Sequence, residues 1–227
     1  MSRSFAVVCL MLAAFVVLGE AREVKPVLIN NSNAPQNVTN PKFCHKLDCP
    51  GYTVIYSNAT ANVEYRQYDA FLWARTNVST TSFEVASEVG FNRLFDYISG
   101  ANVGNVSVPM TAPVSIQVFP GQGPFCKSTF VVSFFVPYAE QAASGKVPPT
   151  PTSSDVYIEL LPASTKAVYS FGGFTWTWKE VLPNIEYLYD YLIAHDQPFV
   201  PNIEYVCGYD APFRPIDRHN EIWIDLV

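Results

Sequence analysis

The segment from Ser82 to Val114 constrains the fold more than any other part of the chain. Ser82 is a favourable N-cap residue, and apolar side chains then recur at steps of three and four residues, which predicts an amphipathic helix that ends before Gly100. The stretch Val108–Val114 carries two prolines four residues apart, a pattern that neither an uninterrupted helix nor a central strand tolerates. The segment therefore predicts a helix that leads into a proline-pinned strand, which is a scaffold for a pocket wall.

The rest of the chain repeats this plan. A second helix is predicted from about Thr177 to His195, because Thr177 and Glu180 have capping-box spacing before an apolar stripe. Strands are predicted at 52–56, 63–68, 71–78, 114–119, 130–136, 156–160, 166–171, 205–209 and 221–226. The proline-containing stretch 138–155 separates two half-units, about 50–137 and 155–227, which we expect to share one core. The predicted fold class is α+β, with the sheets packed or closed against each other.

The N-terminus has the pattern of a secretory signal peptide. Arg3 supplies a positive charge, 14 mostly apolar residues follow from Phe5 to Leu18, and small residues end at Ala21. We expect a signal peptide over residues 1–21, a disordered lead-in over 22–43 and one domain over 44–227; an uncut signal anchor is the alternative. Nothing later in the chain is apolar over a length that could span a membrane.

Five glycosylation sequons agree with the secretory pathway, and so with an extracellular, vacuolar or other endomembrane location. The candidate acceptors are Asn30, Asn37, Asn58, Asn77 and Asn105.

The cysteine content also agrees with the secretory pathway. Removal of the signal peptide would leave four cysteines, and an even number in an oxidising compartment favours pairing. Cys44 and Cys49 enclose four residues, so a local disulfide is the first choice for them, and a zinc site there lacks a fourth ligand of matching spacing. Cys126 and Cys207 could pair with each other or remain as buried thiols.

Charge and motifs exclude several functions. The net charge of -6 disfavours a nucleic-acid partner, whose phosphates require a basic surface. The sequence contains no nucleophile elbow, no His-Glu-x-x-His and no Cys-x-x-Cys motif. Of its three histidines, His45 and His195 suit structural roles, whereas His219 lies in a dense polar run and is the candidate ligand.

Several separated motifs resemble those of the SOUL haem-binding protein family, and the resemblance extends over nearly everything from Cys49 to Leu226. The motifs are Gly90-Phe91-x-x-Leu94-Phe95-x-Tyr97-Ile98-Ser99-Gly100, Pro109-Met110-Thr111-Ala112-Pro113-Val114, Phe171-Gly172-Gly173-Phe174, Gly208-Tyr209-Asp210-Ala211-Pro212-Phe213 and Arg218-His219-Asn220-Glu221-Ile222-Trp223.

The resemblance implies a distorted antiparallel β-barrel of eight or nine strands with two flanking helices and pseudo-twofold symmetry. It implies binding of haem or another tetrapyrrole in an apolar groove beside the first helix, without an enzymatic reaction. By position, Phe91, Leu94 and Phe95 would face the macrocycle, and Arg214 could meet a propionate. His219 completes the predicted haem-binding residues.

Two other functions are compatible with the sequence. An enzyme acting on an amphipathic small molecule in the same cleft would need convergent polar groups with shifted pKa values. A protein-interaction module would leave no concavity and would cover the first helix fully.

Overall fold

The computed structural model of the chain describes residues 41–121 and 126–227. Within these residues it has two α-helices, α1 (Phe83–Ile98) and α2 (Trp178–Ala194). The strands of the same part of the chain are β1 (Tyr52–Asn58), β2 (Val63–Tyr68), β3 (Phe71–Thr80), β4 (Val114–Phe119), β5 (Ser128–Phe135), β6 (Val156–Leu161), β7 (Ser164–Phe171), β8 (Phe199–Gly208) and β9 (Asn220–Leu226).

Both helices begin where local capping predicts. The Ser82 hydroxyl accepts a hydrogen bond from the Val85 amide, and Thr177 and Glu180 form a complete capping box at the start of α2. β8 begins at Phe199, earlier than its apolar pattern predicts, because its first half is joined to β9 by an irregular register.

All nine strands form one antiparallel sheet in the order β1-β2-β7-β9-β8-β4-β5-β3-β6. Apart from β1, the order reads the same from the opposite end when β2–β5 are exchanged with β6–β9, so the sheet has a pseudo-twofold axis between β4 and β8. One strand of each half-unit pairs with the other half: β2 lies beside β7, and β6 lies beside β3. The predicted α+β architecture is confirmed, with a curled sheet whose terminal strands, β1 and β6, do not close it into a complete barrel.

The two helices pack on one face of this sheet and bury the main core. α1 lies on β3 and β5, with a lesser contact to β6, and α2 lies on β7, β8 and β9. Leu94 and Leu188, one from each helix, are fully buried in the cluster that joins them to the sheet. Burial of this apolar surface is the main stabilising contribution to the fold.

The opposite, concave face of the sheet carries a different set of side chains. Along β3, Trp73 and Arg75 alternate with Ala74 and Thr76, and Ala74 belongs to the helix-side core. Trp73 instead joins a second buried cluster that contains Phe135, Trp223 and the Cys44–Cys49 disulfide. The sheet therefore separates a mixed aliphatic and aromatic core beneath the helices from an aromatic and polar interior on its other face.

The N-terminal disulfide is formed as predicted between Cys44 and Cys49, with Cα atoms 6.3 Å apart. Residues 42 and 43, which the sequence assigns to the lead-in, form a short 3₁₀ helix with Cys44. Cys126 and Cys207 are not paired with each other; Cys126 is exposed, and Cys207 is a buried thiol whose pKa burial raises. The predicted signal peptide lies outside the described residues.

Candidate functional site

Phe91 and Phe95 form an aromatic pair on the surface of α1. Their rings are stacked with centroids 5.7 Å apart, and Phe95 is 48% exposed. Phe91 also meets Phe134 of β5 edge-on at 5.4 Å, which fixes its position against the sheet. Leu94, predicted with them from the same stripe, has no exposed surface and packs in the core instead. The contact of these side chains with a macrocycle stays a prediction.

A row of residues crosses the sheet beside this aromatic pair. Phe134, Val114, Gly208, Asn220 and Phe171 are in register on β5, β4, β8, β9 and β7, and all point to the helix side. Phe134 and Asn220 are buried, but Val114 and Phe171 remain partly exposed. Because Gly208 has no side chain, the surface of the sheet is depressed at the middle of the row. We call this row, with α1 at its β5 end and residues 172–177 at its β7 end, the helix-side groove.

The segment that leaves β7 supplies a second aromatic pair. Phe174 and Trp176 have ring centroids 4.5 Å apart, and Trp176 is 56% exposed. Asn220 donates from its side-chain amide to the Gly173 carbonyl oxygen (2.9 Å), which ties the segment to the row. Exposed aromatic side chains therefore stand on both sides of the helix-side groove, an arrangement that suits a large flat apolar ligand.

A cation lies beside Phe174. The Arg218 guanidinium carbon is 4.9 Å from the centre of the Phe174 ring, within cation–π distance. The guanidinium donates to four backbone carbonyl oxygens, those of Gly173, Ala211, Arg214 and Asp210. It forms no ion pair within residues 41–121 and 126–227, so its positive charge is not neutralised by a neighbouring carboxylate.

The predicted cation, Arg214, is placed differently. Its Nε atom lies 3.2 Å from the Asp210 carboxylate, which is fully buried and also contacts the ring of His45 at 2.8 Å. Its charge is therefore already paired. Arg218 is the cation of this loop that lacks a carboxylate partner, and reasoning from the sequence did not single it out; the contact of Arg214 with a propionate stays a prediction. The polar run Asp217–Glu221 indicated the region but could not show which of its side chains lacked a carboxylate partner.

His219 is held by contacts on several sides. Its ring stacks on Phe43 with centroids 3.9 Å apart, its Nε2 atom lies 2.8 Å from a Glu221 carboxylate oxygen, and its backbone amide donates to Asp210. One ring nitrogen is thus committed to Glu221, and the ring orientation is set by the 3₁₀ helix next to the disulfide. The role of His219 towards a ligand stays a prediction.

Glu221 is the hydrogen-bond acceptor shared by several side chains of the interior behind His219. It is fully buried and accepts hydrogen bonds from Arg66, Tyr209 and the Trp223 indole as well as from His219. Burial by itself would raise the pKa of this carboxyl, but Arg66 and the hydrogen-bond donors outweigh it and lower the pKa to about 2. Glu221 is therefore a charged, fully bonded structural centre with no lone pair left for a ligand.

Glu84 joins the two helices at their N-termini. One carboxylate oxygen accepts from the Trp178 amide of α2 (3.0 Å), and the other accepts from the Ser82 hydroxyl of α1 (2.6 Å). These hydrogen bonds lower the pKa of Glu84. Part of the acidic character of α1 is therefore used to cap α2 and complements its dipole.

Neither a metal cluster nor a membrane-spanning helix is found in the described part of the chain. There, no group of three or more His, Cys, Asp and Glu side chains is placed to hold a metal ion. Across the same residues, neither α-helix combines the length and the apolar character needed to cross a bilayer.

The structure is that of an α+β protein with exposed aromatic side chains on both sides of the helix-side groove and an unpaired guanidinium beside one of them. A model of the family described as SOUL heme-binding protein matches residues 47–225. The chain therefore belongs to the SOUL haem-binding protein family, as its motifs predict.

Similar proteins include heme-binding protein 2 of Homo sapiens, which is 35% identical over 161 residues, 71% of this chain and 76% of the human protein. Heme-binding protein 1 of Xenopus laevis is 30% identical over 170 residues, 70% of this chain and 81% of the frog protein. Among solved structures, the EcmrR C-terminal domain is similar with a TM-score of 0.53 and 11% identity, covering 73% of this chain and 96% of that domain. This last likeness concerns the fold alone.

Proposed function

We propose that the protein binds haem or a related tetrapyrrole in the helix-side groove and carries or buffers it without a chemical reaction. Membership of the family and the names of its relatives support the ligand class. The observation that carries the location is the half-exposed Phe95 stacked on Phe91, opposite Phe174 and Trp176 across the row that includes Gly208.

The residues present fit the ligand. The aromatic pairs offer apolar contact to the macrocycle, and Arg218 offers positive charge to a propionate without first breaking an ion pair. No axial ligand is assigned, because His219 commits its Nε2 atom to Glu221. Binding by apolar contact and one charge is compatible with a carrier that must release its cargo.

Titration of the purified protein with haemin, followed by the Soret band, tests the proposal. We expect a saturable shift at micromolar haemin, and we expect Phe95→Asp to weaken binding about tenfold, since it places a charge against the macrocycle (a tenfold change is about 1.4 kcal/mol). Ile193→Asp is the matched control, because Ile193 is an exposed apolar residue of the other helix. Absence of a shift, or equal losses in both variants, would contradict the proposal.

We also propose that the protein matures in the secretory pathway. The predicted signal peptide and the Cys44–Cys49 disulfide support this location. Of the described sequons, Asn77 and Asn105 have exposed side chains, whereas the Asn58 amide donates to the Tyr191 hydroxyl (3.1 Å). Asn30 and Asn37 lie outside the described residues.

Expression in a eukaryotic secretory host tests this proposal. N-terminal sequencing of the secreted product should begin after Ala21, and treatment with an N-glycosidase should lower its apparent mass. A product that stays in the cytosol and keeps its N-terminus would contradict it.

A further inference from the structure

The concave face of the sheet encloses a cavity that the proposed function does not use. Its volume is about 530 Å³, which falls in the range of small-molecule sites. Arg75 of β3 and Lys166 of β7 both line it, although β5, β4, β8 and β9 lie between those strands in the sheet. The curl of the sheet thus brings distant strands around one space, on the face opposite α1, α2 and the helix-side groove.

Aromatic rings form much of the cavity wall. Trp73, Tyr68 and Trp223 are buried lining residues, and Tyr205 and Phe71 complete the set. These rings are held by contacts with one another, such as Tyr68 against Trp223 at 5.1 Å, so the wall is rigid. Flat aromatic surfaces of this kind favour a planar ligand that can stack or pack edge-on.

A chain of hydrogen bonds crosses the floor of the cavity. Arg75 donates to Glu159 and Gln117, Gln117 donates to the Tyr205 hydroxyl (2.9 Å), and Tyr205 and Lys166 both donate to Asp225. Burial raises the pKa of Tyr205, and Asp225 adds to this, so the phenol stays protonated and keeps donating. The Lys166 ammonium also lies 4.2 Å from the centre of the Tyr205 ring. Gln117, Tyr205 and Asp225 therefore have fixed orientations.

The buried lining residues retain donors that this chain does not use. A guanidinium has five N–H bonds and an ammonium three. In the described structure Arg75 uses three of them, towards Ser133, Glu159 and Gln117, and Lys166 uses one. Spare N–H groups therefore come from two buried residues, Arg75 and Lys166.

The carboxylates that line the cavity, in contrast to its buried N–H donors, lie on the solvent side. The buried side chains that line the cavity (Tyr68, Trp73, Arg75, Ser115, Ser133, Lys166 and Trp223) include none. Asp69 is exposed and Asp225 is partly exposed. Arg75 and Lys166 are each paired with one carboxylate, that of Glu159 and that of Asp225, so the deep part of the cavity offers spare hydrogen-bond donors rather than an unpaired charge, and a ligand would place acceptor oxygens there.

We propose that this cavity is a second binding site, which takes a planar aromatic molecule of one or two rings that bears a carboxylate or carbonyl oxygen. The ring packs against Trp73, Tyr205 and Trp223, and the oxygen meets the spare N–H groups of Arg75 and Lys166. The site is separate from the helix-side groove, and it does not depend on haem binding.

The probes are 1-naphthoate and 1-naphthylmethylamine, which share one ring system and differ in the sign of their charge. Isothermal titration calorimetry, with quenching of tryptophan fluorescence as a second readout, should give a dissociation constant for the carboxylate at least tenfold below that for the amine. Ala163→Trp, an exposed turn position at the cavity mouth, should weaken naphthoate binding at least tenfold without disturbing the core. Lys166→Gln should weaken it similarly, and Phe95→Asp, on the other face, should leave it unchanged.

The outcomes separate the two sites. Equal affinity for both probes, no binding at millimolar naphthoate, or naphthoate binding unaffected by Ala163→Trp would each overturn the proposal. If Ala163→Trp abolishes haemin binding and Phe95→Asp does not, the cavity is the haem site, and the proposal of a separate aromatic-acid site fails. Haemin binding lost only in Phe95→Asp, with naphthoate binding lost only in Ala163→Trp, supports both proposals.

Discussion

At the scale of single residues, Glu221 has the greatest influence on the interior. Its carboxylate meets Arg66, His219, Tyr209 and Trp223, which come from β2, β9 and the β8–β9 loop. A buried charge of this kind is tolerated only when it is paired and fully hydrogen-bonded. Removing the charge leaves the Arg66 guanidinium, which is 3% exposed, without its buried partner.

We predict that Glu221→Gln lowers the free energy of unfolding by roughly 3 kcal/mol at pH 7, because a buried ion pair is broken from one side. The folded-state pKa of about 2 lies below the ordinary value of 4.5, so the contribution is present above about pH 4.5 and is lost as the pH falls towards 2. Urea unfolding at pH 7 and pH 3 measures this.

The control for that measurement is Glu88→Gln, an exposed carboxyl on α1, which should change stability by less than about 0.5 kcal/mol. The difference between wild type and Glu221→Gln should shrink at pH 3. A difference that is the same at both pH values would show that the charge of Glu221 does not stabilise the fold.

At the scale of elements, α1 lies unusually close to the sheet at Gly90. A Cβ atom at this position would lie 2.2 Å from Cγ2 of Val132, a branched side chain on β5 that is fully buried. The helix can therefore approach the strand only where the side chain is missing. This approach also places Phe91, the next residue, against Phe134 and at the edge of the helix-side groove.

We predict that Gly90→Ala destabilises the protein by about 1–3 kcal/mol, although alanine is the better helix former, because overpacking against Val132 outweighs the gain in helix propensity. Thermal or urea unfolding measures the change. Glu88→Ala on the exposed side of the same helix should be neutral or slightly stabilising. The double variant Gly90→Ala with Val132→Ala should recover part of the loss relative to the sum of the single changes; strict additivity would contradict the proposed clash.

At the scale of the whole molecule, strands of the two half-units pair with each other. β2 of the first half pairs over six residues with β7 of the second, and β6 pairs over six residues with β3. The second half alone would therefore leave β6 without a partner strand, and the first half alone would leave β2 paired only with β1. Neither half can bury its helix and satisfy its sheet without the other.

We predict that a fragment starting at Lys146 is unfolded by itself but folds when co-expressed with a fragment ending at Gly145, since the break lies in an exposed turn. Dispersion of amide proton shifts in NMR spectra of the single fragment and of the pair measures this. A well-dispersed spectrum from the C-terminal fragment alone would contradict the claim that the halves depend on each other.

The elements themselves could be predicted from the sequence. Capping residues, apolar periodicity and turns act over a few residues, and they correctly indicated both helices and the strands. The short spacing of Cys44 and Cys49 likewise indicated their disulfide. The separated motifs also indicated the family. Within the stripe of α1, however, periodicity could not distinguish Leu94, which is fully buried, from Phe95, which is half exposed, because both fall within a wide apolar stripe whose centre and margin have the same kind of residue.

What only the tertiary structure decided depends on residues far apart in the chain. The unpaired charge of Arg218 follows from the placement of Asp210 and of the carbonyl oxygens around it. The donor-rich cavity follows from the curl that brings Arg75 and Lys166 around one space. Alternating polar positions on the strands, such as Ser115 and Gln117 of β4, are a sequence signal that could have indicated a polar interior. The sequence determined the elements and the family because their signals are local, whereas the two proposed binding surfaces arise from the register and curvature of the assembled sheet.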